Sequence, residues 1–219
     1  MKQTKIKGVY GDKKQIFTEN LPSAKGIKVY NERIVKNKDK EFRAWNPYRS
    51  KFAAAILNKL DIKIDPDFKV LYLGAATGTT VSHVSDIVKS GTVYAVENSP
   101  IAMKKFLKIC ETRKNIIPIF QDANHPDRYL PIVSNVDFIY QDISQRNQSD
   151  IFIRNSIKFL KENSKGIIMV KARSIDVSLK PKKAYELVCN NLKQSDFIVD
   201  DIIDLQPFEK DHAAIIVTK

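Results

Sequence analysis

The sequence predicts an α/β fold with a mostly parallel central sheet, an antiparallel last strand and a small β-rich unit ahead of it. Three observations predict it. Between residues 69 and 193 short apolar runs alternate with amphipathic stretches of helical period, the pattern of parallel strands joined by crossover helices. The last two apolar runs, Phe197 to Leu205 and Ala213 to Thr218, are separated only by Gln206 to His212, too short a link for a helical crossover, so they pair antiparallel. The segment 1–45 carries short alternating runs among turn residues and charges, which reads as a β-rich unit. The expected division is 1–45 for that unit and 46–219 for the α/β domain.

Each element has its own local reason. Lys5 to Tyr10, Gln15 to Thr18 and Ile27 to Tyr30 alternate apolar and polar residues and are expected as strands. At Asn46-Pro47 the pattern changes: asparagine can cap, proline suits the first helical position, and Phe52, Ala53, Ile56, Leu57 and Leu60 form an apolar stripe. The core follows as strand 69–74, helix 79–89 with its Val81, Val84 and Val88 stripe, strand 92–97, and helix 100–112 opened by Ser99-Pro100. Strands 115–120 and 136–141, helix 149–161, strand 166–171 and helix 181–193 complete the alternation.

Composition narrows the class. The 219 residues are 43% hydrophobic and 28% charged, with no apolar run long enough for a bilayer and no signal-peptide core at the N-terminus; an intracellular, cytoplasmic protein without membrane attachment is expected. Lys and Arg number 37 against 25 Asp and Glu, a net charge of +12, which favours a polyanionic partner such as nucleic acid. Cys110 and Cys189 fall far apart inside amphipathic helices without metal-ligand spacing. They read as packing residues, and no metal site is expected. With only 7 glycines there is no Arg/Gly-rich RNA-binding tail.

The chemistry collects around Val70 to Thr80, where an apolar strand breaks into Gly74, Ala75, Ala76, Thr77 and Gly78 before Thr79 and Thr80 open a helix. Small side chains let a ligand approach the backbone. Glu97 ends the next strand 23 positions after Gly74, where a carboxylate accepts hydrogen bonds from ribose hydroxyls. The dinucleotide fingerprint asks for three glycines, and Gly74-x-Ala76-x-x-Thr79 matches it poorly. A loop without a pyrophosphate turn leans instead towards S-adenosylmethionine, which carries no phosphate.

In an open α/β sheet ligands bind beyond the carboxyl ends of the parallel strands. Glu97, Asp122, Asp142 and Lys171 all stand there, and His212, opening the antiparallel strand, shares that edge. Asp122-Ala123 places a carboxylate and a small wall for an adenine ring. Lys171 interrupts the apolar run Ile167 to Val170, where burial penalises an ammonium and favours a proton-accepting amine. Lys51 is a cation that can act beside it. Taken singly, Asp122 and Asp142 also suit turns or caps, Lys51 an exposed helix face, and His212 a structural role. Trp45 with Phe42 and Tyr48 reads either as a junction cluster or as part of an RNA surface.

Five segments carry a longer likeness: Glu41 to Lys51, Tyr72 to Val84, Gln141 to Gln145, Lys171 to Ser174 and Pro207 to Ala213. Through them the chain resembles the fibrillarin family, in its archaeal form. The resemblance implies a Rossmann-like class I methyltransferase sheet that binds S-adenosylmethionine. It implies Thr79, Thr80, Glu97, Asn98, Asp122, Ala123 and the run Asp142, Ile143, Ser144 and Gln145 as cofactor residues, with Gly74, Ala75 and Gly78 in the loop. It also implies a tetrad of Lys51, Asp142, Lys171 and His212; the expected roles are Lys171 as base and Asp142 as its orienting partner. The implied activity is 2′-O-methylation of rRNA and tRNA in a box C/D ribonucleoprotein, with target choice delegated to a guide RNA, a Nop5-type scaffold and an L7Ae-type kink-turn protein. A stand-alone FtsJ-type enzyme carries an acid in the last place, where this chain has His212. A scaffold that binds cofactor for stability alone is the reading from a different class.

Overall fold

The computed structural model describes residues 1–219, and two sheets organise it. The first contains β1 (Val9–Gly11), β2 (Ile16–Glu19), β3 (Ile34–Asn37) and β4 (Lys40–Trp45), antiparallel in the order β1-β2-β4-β3. The β-rich expectation holds, but its strands shift. Ile27 to Tyr30 forms no strand because the Glu32 carboxylate reaches back to accept from the amides of Val29 and Tyr30 at 2.8–3.0 Å, taking the donors a ladder needs. The pairing passes to a hairpin of β3 and β4 instead. Of Lys5 to Tyr10 only the end joins the sheet, since Gly8 turns the chain at φ +81° where a Cβ would lie 3.3 Å from the Ile87 backbone.

The second sheet follows the expected alternation: β5 (Lys69–Leu73), β6 (Thr92–Glu97), β7 (Ile116–Phe120), β8 (Val136–Gln141), β9 (Leu160–Lys171), β10 (Ile198–Asp204) and β11 (His212–Thr218), in the order β10-β11-β9-β8-β5-β6-β7. β5 to β9 run parallel, and β11 is antiparallel to both of its neighbours. The chain leaves β5 towards β6 and β7 and then returns to β8 on the other side of β5. That reversal opens a crevice at the carboxyl ends of β5 and β8.

The helices are α1 (Lys51–Leu57), α2 (Thr79–Ile87), α3 (Pro100–Cys110), α4 (Gln148–Phe159), α5 (Ala172–Ile175) and α6 (Pro181–Gln194). Two departures from the sequence reading matter. α1 starts at Lys51 with Ser50 as its cap, because the Asn46 side chain instead accepts from Tyr48 N at 2.9 Å and closes a turn. A single helical turn, α5, follows β9 directly.

Successive residues of β5 feed two cores: Val70 and Tyr72 join a cluster of 31 buried residues, Leu71 and Leu73 one of 26 on the other face. The larger cluster also holds Ile6, Val9, Ile16 and Trp45, so the N-terminal sheet shares its core with α2. α1 seats on the same face through Phe52, which stacks on Tyr140 at 4.9 Å. A buried ionic cluster reinforces the join: Arg43 of β4 reaches Glu32 at 2.7 Å and Asp86 of α2 at 2.8 Å, and Arg113 also pairs with Asp86. No helix is long and apolar enough to cross a membrane.

Candidate active site

The crevice is built from the contact of two strand ends. Asp142 N donates to Leu73 O at 2.9 Å, which brings the residue after β8 against the residue after β5. Gly74 sits there at φ +87°, and a Cβ on it would lie 2.4 Å from the Asp142 carbonyl oxygen; only glycine fits. Glu97 organises the other wall. Its Oε2 accepts from Ala76 N and its Oε1 from Ser99 N, both at 2.7 Å, and each oxygen keeps capacity for a further donor.

Gly74, Glu97, Asn98, Asp122, Ala123, Ile143 and Gln145 line one cleft together with Gln121 and Val96. Asp122 Oδ1 accepts from Asn124 N at 2.9 Å and from Asn124 Nδ2 at 3.0 Å. The amide of Asn124 holds that carboxyl below the ordinary carboxylate range, and Oδ2 remains open to an N–H donor. Asn155 fixes the Ala123 carbonyl at 2.9 Å, and Asn124 also donates to Gln145 at 3.0 Å. Asn124 and Asn155 were not among the sequence candidates, although an Asn two positions after Asp122 is a turn signature. This donor set fits an adenosyl group: a carboxylate for vicinal ribose hydroxyls, an acceptor for an exocyclic amine, small walls, and no clamp for phosphate. It fits S-adenosylmethionine on those grounds.

Not every proposed cofactor residue faces this cleft. Thr80 is buried, and its hydroxyl donates to Ser50 Oγ at 3.0 Å, stapling the cap of α1 to α2. Gly78, at φ +88°, caps α2 where a Cβ would lie 2.6 Å from Phe106. Thr79 borders a neighbouring groove, Ser144 is exposed, and Ala75 is buried with its amide on Val96 O at 3.0 Å.

The four tetrad residues gather at the edge of the crevice. With α1 held by Ser50, Thr80 and Phe52, Lys51 Nζ reaches Asp142 Oδ1 and Oδ2 at 2.8 and 3.0 Å. Asp142 is therefore the partner of Lys51, not of Lys171 as the sequence reading had it. Lys171 ends β9 opposite His212 in the antiparallel register. Gln148 accepts from its amide at 3.3 Å and is itself held by Gln141, which donates to Gln148 O at 2.7 Å. His212 Nδ1 lies 2.7 Å from Lys210 O. In the neutral ring this contact places the proton on Nδ1 and leaves Nε2 as an acceptor.

His83 and Cys110 are structural. His83 is fully buried, with Nδ1 on Thr18 at 2.7 Å, Nε2 on Tyr30 at 2.8 Å and its ring stacked on Trp45 at 4.8 Å. Burial pushes the Cys110 thiol up to about 11, the behaviour of an inert packing residue. Trp45 and Phe42 are buried at the junction, whereas Tyr48 is 64% exposed beside the tetrad.

The family model of fibrillarin matches residues 1–219. The chain belongs to the fibrillarin family. It is 48% identical over 204 residues to the fibrillarin-like rRNA/tRNA 2′-O-methyltransferase of Methanocaldococcus jannaschii, covering 93% of this chain and 88% of that protein. A chain in the crystal structure of a fibrillarin/Nop5p complex matches at TM-score 0.91 with 40% identity, and each covers 100% of the other. Aeropyrum pernix fibrillarin with natively bound S-adenosyl-L-methionine matches at TM-score 0.84 with 40% identity, over 93% of this chain and 89% of that one. The family resemblance carried by five short segments thus extends along the whole chain.

Proposed function

We propose that this protein transfers a methyl group from S-adenosylmethionine to ribose 2′-hydroxyls of rRNA and tRNA. It does so within a box C/D particle containing a Nop5-type scaffold, an L7Ae-type kink-turn protein and a guide RNA. The observation that carries the chemistry is the placement of the Lys51–Asp142 ion pair and the Lys171–His212 register pair at one edge of the β5/β8 crevice.

When bound, S-adenosylmethionine supplies a methyl group already activated by its sulfonium. The chain's own residues must then orient the attacking oxygen and take its proton. Lys51, paired with the Asp142 carboxylate, acts as a fixed cation that steadies negative charge growing on the oxygen. Lys171 enters no ion pair and ends β9 opposite His212, so its amine is the group placed to receive the proton. His212 Nε2 offers the acceptor that aims the hydroxyl. Asp142 positions Lys51 and, through its backbone, closes the floor of the cleft on Gly74.

The test is tritiated methyl transfer to a guide-paired RNA with a ribose or a 2′-deoxyribose at the target. The scaffold and kink-turn partners are included or left out. Transfer that needs both the partners and the 2′-hydroxyl is the expected result. Transfer to the deoxy target refutes the ribose assignment, and transfer without partners moves the reading to a stand-alone enzyme.

A further inference from the structure

Lys171 stands where the sheet has run out of strand on one side. On the β11 side it pairs with His212. On the other side β8 ends at Gln141, opposite Ile168, so Lys171 lies three residues past the last ladder pair. Backbone groups that face the side a strand has left need other partners. The side chain of Gln148 supplies them. Its Oε1 accepts from Lys171 N at 3.3 Å, and its Nε2 reaches Lys171 O at 3.5 Å. One amide thus offers the acceptor and the donor that a neighbouring strand would have offered. The same Nε2 donates to Gln145 O at 3.1 Å, on a residue that lines the cofactor cleft.

Neither helix capping nor packing accounts for this side chain. Gln148 is the first residue of α4, yet its acceptor takes the Lys171 amide rather than one from its own first turn. Gln148 and Gln141 are both fully buried, and Gln141 lies in the sheet between Leu73 and Ile168. Gln141 spends its Nε2 on Gln148 O at 2.7 Å and leaves its own Oε1 without a partner. A buried amide with an unpartnered acceptor is less stable than a hydrocarbon of the same shape. Two amides, one holding the other, serve to place Lys171 rather than to fill the core. The line also continues past Gln145, whose side chain accepts from Asn124 Nδ2, itself a donor to Asp122. Asp122, Gln145 and Lys171 are therefore set in one hydrogen-bonded frame.

We propose that Gln148 is a positioning residue for methyl transfer: its amide replaces the missing strand, fixes the backbone of Lys171 and ties it to the cofactor cleft at Gln145. The role rests on Lys171 being the base, and its test separates the two assignments.

Gln148→Met keeps the volume and removes both hydrogen-bonding atoms. In the particle assembled with guide RNA, scaffold and kink-turn partners, it is expected to lower kcat at least about tenfold with KM for RNA within about twofold of wild type, the pattern of a misplaced reacting group rather than of lost binding. In Lys171→Ala the same substitution is expected to change the residual kcat less than about twofold, because no amine is left to position. Equal loss in both backgrounds assigns Gln148 to the fold at large and overturns the role, as does wild-type kcat in Gln148→Met. Amide exchange reads the hold without turnover: in the isolated chain the Lys171 amide is expected to exchange at least about tenfold faster in Gln148→Met, while the Ile168 amide, inside the ladder, stays near wild type. Unchanged exchange at Lys171 overturns the hold. Full turnover in Lys171→Ala removes the base assignment, and the exchange result still decides whether Gln148 holds that backbone. Where Gln148→Met fails to fold, Gln141→Met goes through the same comparison and is expected to lower kcat at least about threefold when Lys171 is present and not when it is absent.

Discussion

Asp86 joins the N-terminal sheet to the methyltransferase core, and replacing it with alanine puts a number on that joint. Its carboxylate accepts from Arg43, Arg113, the Thr18 hydroxyl and the Leu21 amide. Arg43, Arg113, Glu32 and Asp86 are each no more than 5% exposed, and together their charges cancel. Without Asp86, Arg43 still has Glu32, but the two guanidiniums share one carboxylate and a net positive charge stays buried. Breaking a buried pair this way costs about 3–5 kcal/mol, which for a chain of this size lowers Tm by roughly 6–20 °C. Thermal and urea unfolding followed by circular dichroism at pH 7 measure it. A loss under about 1 kcal/mol would show that water or a shifted side chain relieves the charge, and would refute the account of a neutral buried cluster. A paired replacement sharpens the test: Asp86→Leu with Arg113→Met removes one charge of each sign, and most of the stability lost in the Asp86 single variant is expected to return.

Burial, with Arg43 and Arg113 nearby, holds His83 neutral in the fold, well below its ordinary range, while in the unfolded chain it takes a proton near about 6.5. Its stabilisation is therefore complete above that pH and falls as pH drops, by about 2 kcal/mol at pH 5. His83→Gln should flatten that slope in urea titrations between pH 7 and 5, and an unchanged slope assigns it elsewhere. Lys171→Ala should lower turnover at least about 100-fold while calorimetric affinity for S-adenosylmethionine stays near wild type; full turnover removes Lys171 as the base. Gly74→Ala places a Cβ 2.4 Å from the Asp142 carbonyl in a left-handed backbone, so it should cost about 2 kcal/mol or more of stability and abolish tight cofactor binding. Wild-type cofactor affinity in that variant would show that the two strand ends separate freely.

How much of this was legible in the sequence depends on whether a residue's place follows from topology or from packing. Glu97, Asp122, Asp142 and Lys171 could be placed at one edge because alternating strands and helices fix where parallel strands end. His212 followed from one short connection. The partnership of Asp142 was misread, because it depends on where α1 lies on the sheet. That seat is set by Phe52 on Tyr140 and by Thr80 on Ser50, contacts across 88 and 30 positions of chain that no local pattern displays. The N-terminal strands were misread for a related reason. Ile27 to Tyr30 alternates as well as any strand, but Glu32 removes its donors, and a side chain reaching back to the backbone is invisible to a count of apolar periods.

Net charge shows the same division between what sums along a chain and what a fold arranges. A value of +12 suggests a polyanion without saying where it lies, and many of the lysines behind it are spent on neighbouring carboxylates. Among the cations left unpaired is Arg49, seated 5.3 Å from the centroid of the Tyr30 ring and next in the chain to the exposed Tyr48. Arg49 and Tyr48 belong to the turn that Asn46 closes and Ser50 converts into α1. The turn therefore sets the place of that cation and aromatic and the position of Lys51 by one piece of backbone. A substitution that loosens it, such as Ser50→Ala, should lower RNA affinity and turnover together, whereas Lys171→Ala should lower turnover alone. Independent loss of the two in the Ser50 variant would mean that strand and reacting ribose are positioned by separate parts of the molecule.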